Sequence, residues 1–319
     1  LAGRTVEESS LSSGSAAEIR MLEDPHSSAS ASVASTSQHH LDSSSLPSIL
    51  QELKARYMAH CIYTELKANC IIRLHPFVKL DIYNTDYVRY YSRLDALDPH
   101  IFRLCCWSHW KAQETASQAI IMTGIAGSGK TEAFRRILHY LNRRRPAPLM
   151  DRIIQTQELI RAFGSAATQK SASSTRFGQL LDLSLDFKGD VVEAFLSHLL
   201  LEKSRVCQRS RRGQETNYDI FYCLLSGADI NLLKQLRLQR NRQNYALLRL
   251  SSGIDPTDLG SPDFRRKFAQ LKECLDWLEI DGTSVFHCLA IILKAGNLLF
   301  KPSVNMDSTP SAIVQNQHG

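Results

Sequence analysis

The first stretch of the chain has no apolar rhythm. Residues 1 to about 47 are rich in Ser and Ala, with Ser27, Ser28, Ser30, Ser32, Ser35 and the run Ser43-Ser44-Ser45, and they contain no aromatic residue. Such a segment cannot bury enough apolar surface to offset its chain entropy, so a disordered tail is expected there. From Leu46 onward the pattern becomes globular. Ser48 to Tyr57 reads as a short helix, and Cys61 to Leu74 as two short strands joined by a turn. Asp86 to Ser92 and Pro99 to Trp110 have helical spacing, with Ile101, Leu104 and Trp107 on one face. The run Ala119-Ile120-Ile121-Met122 suits a buried strand. Phe134, Ile137, Leu138 and Leu141 then recur at helical spacing, and Asp151 to Phe163 predicts another helix.

Leu181, Leu183, Leu185 and Phe187 alternate with Asp182, Ser184 and Asp186, the period of a strand. Gly189-Asp190 turns the chain into Val191 to Phe195, which predicts a hairpin. The last third is helical, with Ser261 as a candidate N-cap before Pro262 and a final helix from Ser284 to Lys294 closed by Gly296. After Phe300 the sequence turns polar and reads as unstructured through Gly319. Strand–loop–helix units followed by helices predict an α/β core carrying a helical subdomain.

Composition changes this picture little. With 43% hydrophobic and 22% charged residues in 319, the chain is ordinary for a globular protein. The net charge of +6 is modest. The basic clusters Arg143-Arg144-Arg145 and Arg209-Ser210-Arg211-Arg212 lack interleaved aromatics, so nucleic acid is not an expected partner. The eight cysteines form no CxxC spacing, which argues against a zinc site or a disulfide framework and for reduced thiols in the cytoplasm. His39-His40 has no further ligands in reach of a metal-site spacing. No apolar run reaches the ~18 residues a membrane helix needs, so no transmembrane segment is expected. The first residue is Leu rather than Met, which points to an incomplete chain.

The chemistry concentrates at Gly124-Ile125-Ala126-Gly127-Ser128-Gly129-Lys130-Thr131, which satisfies G-x-x-x-x-G-K-[ST]. Glycines let the backbone bend so that successive N–H groups point at phosphates, and the following helix adds its positive end. Lys130 would reach the β- and γ-phosphates of a nucleoside triphosphate, and the Thr131 hydroxyl would ligate Mg²⁺. A second segment, Ser171-Ala172-Ser173-Ser174-Thr175-Arg176-Phe177-Gly178, sets three consecutive hydroxyls before an Arg just ahead of a strand. Hydroxyls can complete a metal shell or hold an attacking water, and an Arg can steady a loop; Ser-rich loops are also common without such a role.

Taken together and in order, these segments resemble the myosin motor head. The first looks like that family's GESGAGKT or GESGSGKT, and Arg161 to Gln179 aligns without gaps to EAFGNAKTxxNxNSSRFGK, which contains switch I. Ile62-Tyr63-Thr64, His75-Pro76-Phe77 and Ile82-Tyr83 are similar to IYTY and NPYK…IY, and Pro99-His100-Ile101-Phe102 to PHIF. Leu201 to Val206 matches LLEKSRV, Asn217 to Tyr222 is similar to RNYHIFY, and Ile291 to Phe300 to AILHLGNIxF. The resemblance covers about residues 48 to 300. It implies a P-loop NTPase core with a mixed β-sheet flanked by helices, plus a helical upper subdomain.

It further implies ATP with Mg²⁺ as cofactors. Gly124 to Thr131 would hold the phosphates, Thr131 and Thr175 the metal, and Ser174 would stand near the γ-phosphate and the lytic water. Ser171 would contribute to the same site, and Arg176 would pair with a Glu of switch II. Pro76, Lys79 and Tyr83 would line the adenine side. Actin filaments are the implied partner, with light chains or calmodulin in the intact protein, and the implied location is the cytoplasmic actin cytoskeleton. Ile125 and Ala126 replace the family's Glu and Ser, Ser171 and Ser173 replace asparagines, and His75 replaces an Asn. Binding is expected to survive these departures and hydrolysis to be slow or absent. Switch II (DxxGF), the lower actin-binding half and the converter would follow residue 300 and do not, so Arg176 is expected to lack its Glu partner. Two rivals stay open on the residues: a non-catalytic nucleotide-binding scaffold and an unrelated P-loop kinase.

Overall fold

The computed structural model describes residues 16–22, 46–67, 69–96, 98–114, 117–169, 171–207, 215–249, 264–305 and 309–315. The chain forms two compact units, Leu1–Ala147 with Leu185–Val191, and Pro148–Ser184 with Val192–Gly319.

The first unit contains β1 (Ala16–Leu22), α1 (Leu46–Met58), β2 (Tyr63–Lys67), β3 (Cys70–Leu74), α2 (Thr85–Tyr91), α3 (Ile101–Glu114), β4 (Ala119–Gly124) and α4 (Lys130–Arg144). Its sheet has the order β2-β3-β1-β4. Every pairing in it is antiparallel, with Ile19 opposite both Ile71 and Met122. Two expectations are corrected here. The tail predicted to be disordered supplies the strand Ala16–Leu22, whose AAEIRML alternates within Ser-rich surroundings and whose backbone is paired on both sides. The remainder of 1–45, including His39-His40, lies outside the described residues. Nor is the sheet mixed: a parallel pairing needs a crossover that returns to the same sheet, and none of its neighbours arrives that way.

Helices α2 and α3 start where local chemistry dictates. Asn84 caps α2, its Oδ1 accepting from the N–H groups of Asp86 at 3.0 Å and Tyr87 at 3.1 Å. His100 Nδ1 accepts from Phe102 N at 3.1 Å at the head of α3. The His100 ring stacks on Tyr91 with centroids 4.5 Å apart, and burial holds its pKa down at about 3. Sheet and helices enclose a core that includes Ile62, Ile71, Phe102, Leu104, Ile137 and Tyr140. The far end of α4 is pinned by its basic run. Arg143 donates to Tyr83 O at 2.9 Å, Arg144 lies 3.2 Å from His109 Nδ1, and Arg145 pairs with Asp190 at 2.7 Å.

The second unit contains α5 (Pro148–Gly164), β5 (Ser165–Thr168), β6 (Ser171–Thr175), β7 (Gly178–Leu185), β8 (Val191–Leu199), α6 (Ser204–Cys207), α7 (Asp219–Gly227), α8 (Ile230–Gln235), α9 (Phe264–Trp277), α10 (Gly282–Ala295), β9 (Phe300–Val304) and β10 (Pro310–Val314). The apolar face of α7 is buried almost all round, with Tyr222, Leu224 and Leu225 at 0% exposure, and it packs against Phe264, Phe268 and Leu271 of α9. Helix α10 begins two residues before the predicted Ser284, because Asp281 caps it: its carboxylate accepts from Thr283 N and Ser284 N at 3.0 and 3.2 Å. The predicted cap Ser261-Pro262 and the cluster Arg209 to Arg212 lie outside the described residues. The end predicted to be unstructured is corrected: Phe300–Val304 and Pro310–Val314 pair antiparallel, Pro302 facing Ala312.

Gly227 marks how closely α7 and α9 approach. A Cβ there would collide with Phe268, falling 2.6 Å from its Cγ and 2.8 Å from its Cδ1. Neither backbone can retreat without opening the core, so Gly227→Ala is expected to destabilise the protein by about 1–3 kcal/mol, read as a lowered midpoint in urea.

Candidate functional site

Strand β4 ends at Gly124 and the chain turns through Ile125 to Gly129 into α4. Gly127 at φ 82° and Gly129 at φ 93° occupy left-handed backbone that a side chain would strain, and Gly129 is the N-cap of α4. The loop thus presents its amides and the positive end of a 15-residue helix to one spot. Lys130 Nζ donates to Gly124 O at 2.6 Å and to Ile125 O at 2.8 Å, holding the ammonium inside the curve of the loop. Burial lowers the pKa of that ammonium. Ser128 is fully buried and its Oγ has no hydrogen-bond partner. Thr131 begins the second residue of α4, and Ile125 is 52% exposed at the mouth of the loop.

Beneath the loop lies a residue that no motif singled out. Arg73 of β3 is 4% exposed, and its Nη1 donates to Ser128 O at 3.4 Å. Its guanidinium sits against Gly129 so closely that a Cβ there would meet Nη1, with Cζ at 3.3 Å. Tyr63 and Tyr83, whose hydroxyls lie 2.8 Å apart, interact with it. Burial, and then Tyr83, push the Tyr63 phenol well above its usual range, so it stays neutral. The adenine-side candidates are in the same unit. Tyr83 carries the Arg136 guanidinium over its ring at 4.4 Å, Pro76 O accepts from Tyr57 at 3.1 Å, and Lys79 is exposed.

The hydroxyl segment belongs to the second unit. It is itself a strand, β6, rather than a loop ahead of one: Ser174 faces Ala166 and Thr175 faces Ser165 of β5. Ser174 is buried, and Ser171 Oγ donates to Ser173 O at 2.9 Å. Arg176, expected to lack the Glu of switch II, pairs with a different Glu. Its Nε donates to Glu202 Oε2 at 2.6 Å, and the same oxygen accepts from Arg205 Nε at 2.9 Å. Arg205 is 1% exposed and also donates to Ala167 O and Thr216 O, so Glu202 neutralises a buried cation as well as a half-buried one. Desolvation raises the Glu202 pKa, but the bonds from Arg176, Arg205 and Ser204 outweigh it and hold the carboxyl at about 2. The Glu-x-x-Arg spacing of Glu202 and Arg205 was the one sequence signal that could have found this pair.

Comparison with known proteins shows the family of the chain. The family model described as Myosin head (motor domain) matches residues 37–318. Unconventional myosin IC of Drosophila melanogaster is 32% identical over 256 residues, which is 78% of this chain and 24% of that protein. Human unconventional myosin-Ia is 31% identical over 281 residues, 85% of this chain and 26% of that protein. Human unconventional myosin-Ib is 30% identical over 280 residues, 84% of this chain and 24% of that protein. The chain spans about a quarter of the length of the curated relatives it matches. With the motor-domain model matched over most of its residues, the chain belongs to the myosin head family.

Proposed function

We propose that this chain is the nucleotide-binding front part of an actin-based motor, in which Gly124 to Thr131 holds the phosphates of Mg·ATP. One observation carries the reading: within a myosin-head sequence, the loop combines the positive-φ turn at Gly127 and Gly129 with an inward Lys130, an arrangement suited to a polyanion. Its chemistry fits a triphosphate, because amides, an ammonium and a helix N-terminus all offer positive potential at one place. Lys130 would turn from the loop carbonyls to the phosphates, and Thr131 would offer its hydroxyl to Mg²⁺. In the second unit Thr175 is assigned as the other metal ligand, Ser174 as the residue near the γ-phosphate and Ser171 as a polar contact. Pro76, Lys79 and Tyr83 are assigned to the adenine side. When bound, the magnesium nucleotide supplies the phosphoanhydride whose cleavage would drive movement along actin in the intact protein.

A P-loop NTPase architecture with a helical upper subdomain follows from the same reading, as do a location on the actin cytoskeleton and light chains or calmodulin as further partners. Among the described residues, no helix is long and apolar enough to cross a membrane. A second reading, a scaffold that binds nucleotide without turning it over, is favoured by the apolar, exposed Ile125 and by Ala126 inside the phosphate loop. Actin-activated phosphate release from the intact protein separates the two: activation supports the motor, and tight Mg·ATP binding with no release supports the scaffold. In that assay Ile125→Glu with Ala126→Ser is expected to raise turnover about tenfold, since the two changes restore the residues of the resembled loop and the Ser hydroxyl adds a hydrogen-bond donor beside the phosphates. Unchanged turnover would show that these two positions do not limit the chemistry.

A further inference from the structure

The phosphate loop rests on a buried cation that has no counter-ion among the described residues. Arg73 is 96% removed from solvent by its 4% exposure, and its Nε has no hydrogen-bond partner. Its neighbours are the phenols of Tyr63 and Tyr83 and the carbonyl of Ser128, none of them a carboxylate. The acids of β2 and α4 are paired elsewhere. Glu132, in the first turn of α4, is held by Arg135 at 3.0 Å and Arg136 at 2.7 Å, and Glu65 of β2 by Arg103 at 2.8 Å. An arginine cannot escape by losing its proton, so the charge persists in place.

Its position makes matters worse for the isolated loop. The guanidinium lies directly under Gly129, the N-cap of α4, where the helix already carries its own positive end, and Lys130 Nζ points into the same curve. Arg73, the end of the helix and Lys130 thus each add positive potential at the loop. Arg73 contributes no ladder pairing that another side chain would not, since its backbone sits in register with Tyr63 whatever it carries. An anion at the loop is attracted by all three.

We propose that Arg73 is a positioning residue for phosphate binding: a fixed cation beneath Ser128 and Gly129 that strengthens the loop's hold on polyphosphate at the expense of the folded chain's own stability. It does so without touching the ligand, through its charge and through the Ser128 carbonyl it holds. This rests on the reading of Gly124 to Thr131 as a phosphate site and adds a residue from a separate strand to it. The design has a consequence that ordinary structural residues lack. Taking the charge away should weaken the ligand and strengthen the fold, two effects of opposite sign.

The test uses the purified 319-residue chain with Arg73→Met, which keeps length and removes charge, and Arg73→Lys, which keeps charge. Each is titrated with fluorescent Mg·ATP, competed with magnesium pyrophosphate, and melted without ligand. Arg73→Met is expected to bind both ligands about tenfold more weakly, with Arg73→Lys near wild type, because a cation several Å from a phosphate is worth about that in a partly screened site. Its melting temperature without ligand is expected to equal or exceed that of wild type. Arg73→Met that binds both ligands like a binding wild type overturns the proposal. So does loss of ATP but not of pyrophosphate, which would place the effect at Tyr83 and the base. A lowered melting temperature with lost binding in both variants would reduce Arg73 to a packing residue. If the wild-type chain binds neither ligand, the phosphate reading itself fails and takes this one with it.

Discussion

Replacing Lys130 by Ala is expected to weaken Mg·ATP binding by roughly a hundredfold or more, because a desolvated ammonium facing phosphate is the strongest single charge-assisted contact in such a loop. The same titration on Ser128→Ala is expected to show little change. Ser128 Oγ is buried with no partner, so its removal takes away no bond and lifts the penalty of an unsatisfied hydroxyl. Lys130 differs in kind. Its Nζ reaches two carbonyls of the loop, Gly124 O and Ile125 O, and can exchange them for phosphate oxygens without leaving the curve. Equal losses for the two variants in a fluorescent-nucleotide titration would sink the assignment of Gly124 to Thr131 as the phosphate site.

The second large effect is expected at Glu202. Substituting Ala there takes the Glu202 carboxylate away from Arg205, a guanidinium 1% exposed, and from Arg176 beside it. Removing one partner of a buried ion pair commonly costs about 3–5 kcal/mol, and the 26% exposure of Glu202 places the expectation nearer the lower figure. Urea unfolding of Glu202→Ala against wild type measures it. The pH dependence has a definite sign. The folded pKa, about 2, lies below the ordinary 4.5, so the stabilisation is fully present above pH 4.5 and is lost as pH falls towards 2. Glu202→Gln should lack that component, and its stability should change less than that of wild type between those two values. A parallel decline in both proteins would remove Glu202 from the acid response.

These two sites differ in how far the sequence discloses them. Lys130 sits in a contiguous motif whose glycines, cation and hydroxyl all act within eight residues, so its signature survives in one dimension. Arg73 is 55 positions from the carbonyl it holds, and nothing in CIIRL distinguishes a cation aimed under a loop from one facing solvent. Helices were legible where apolar residues recur at helical spacing, as in α3 and α5. Strand β1 was not, because seven suitable residues are hidden in a segment whose average composition argues for disorder. The hairpin of β9 and β10 was missed for another reason. Its Pro302 and Pro310 read as loop signals, and its exposed Phe300, Val304 and Ile313 form no alternating buried face. Glu202 lay inside a recognised motif, but its role depends on which two arginines the fold brings to one oxygen.

Helix α4 has a further consequence. Its 15 residues make a rod about 22 Å long, since each residue advances the axis by about 1.5 Å. One end is the floor of the phosphate loop. At the other, Arg143, Arg144 and Arg145 fasten it to Tyr83, His109 and Asp190. A short, fully hydrogen-bonded rod is stiff along its axis. A tilt imposed on Lys130 would then be expected to reach Arg145 and Asp190, about two nanometres away, where a surface label could read it.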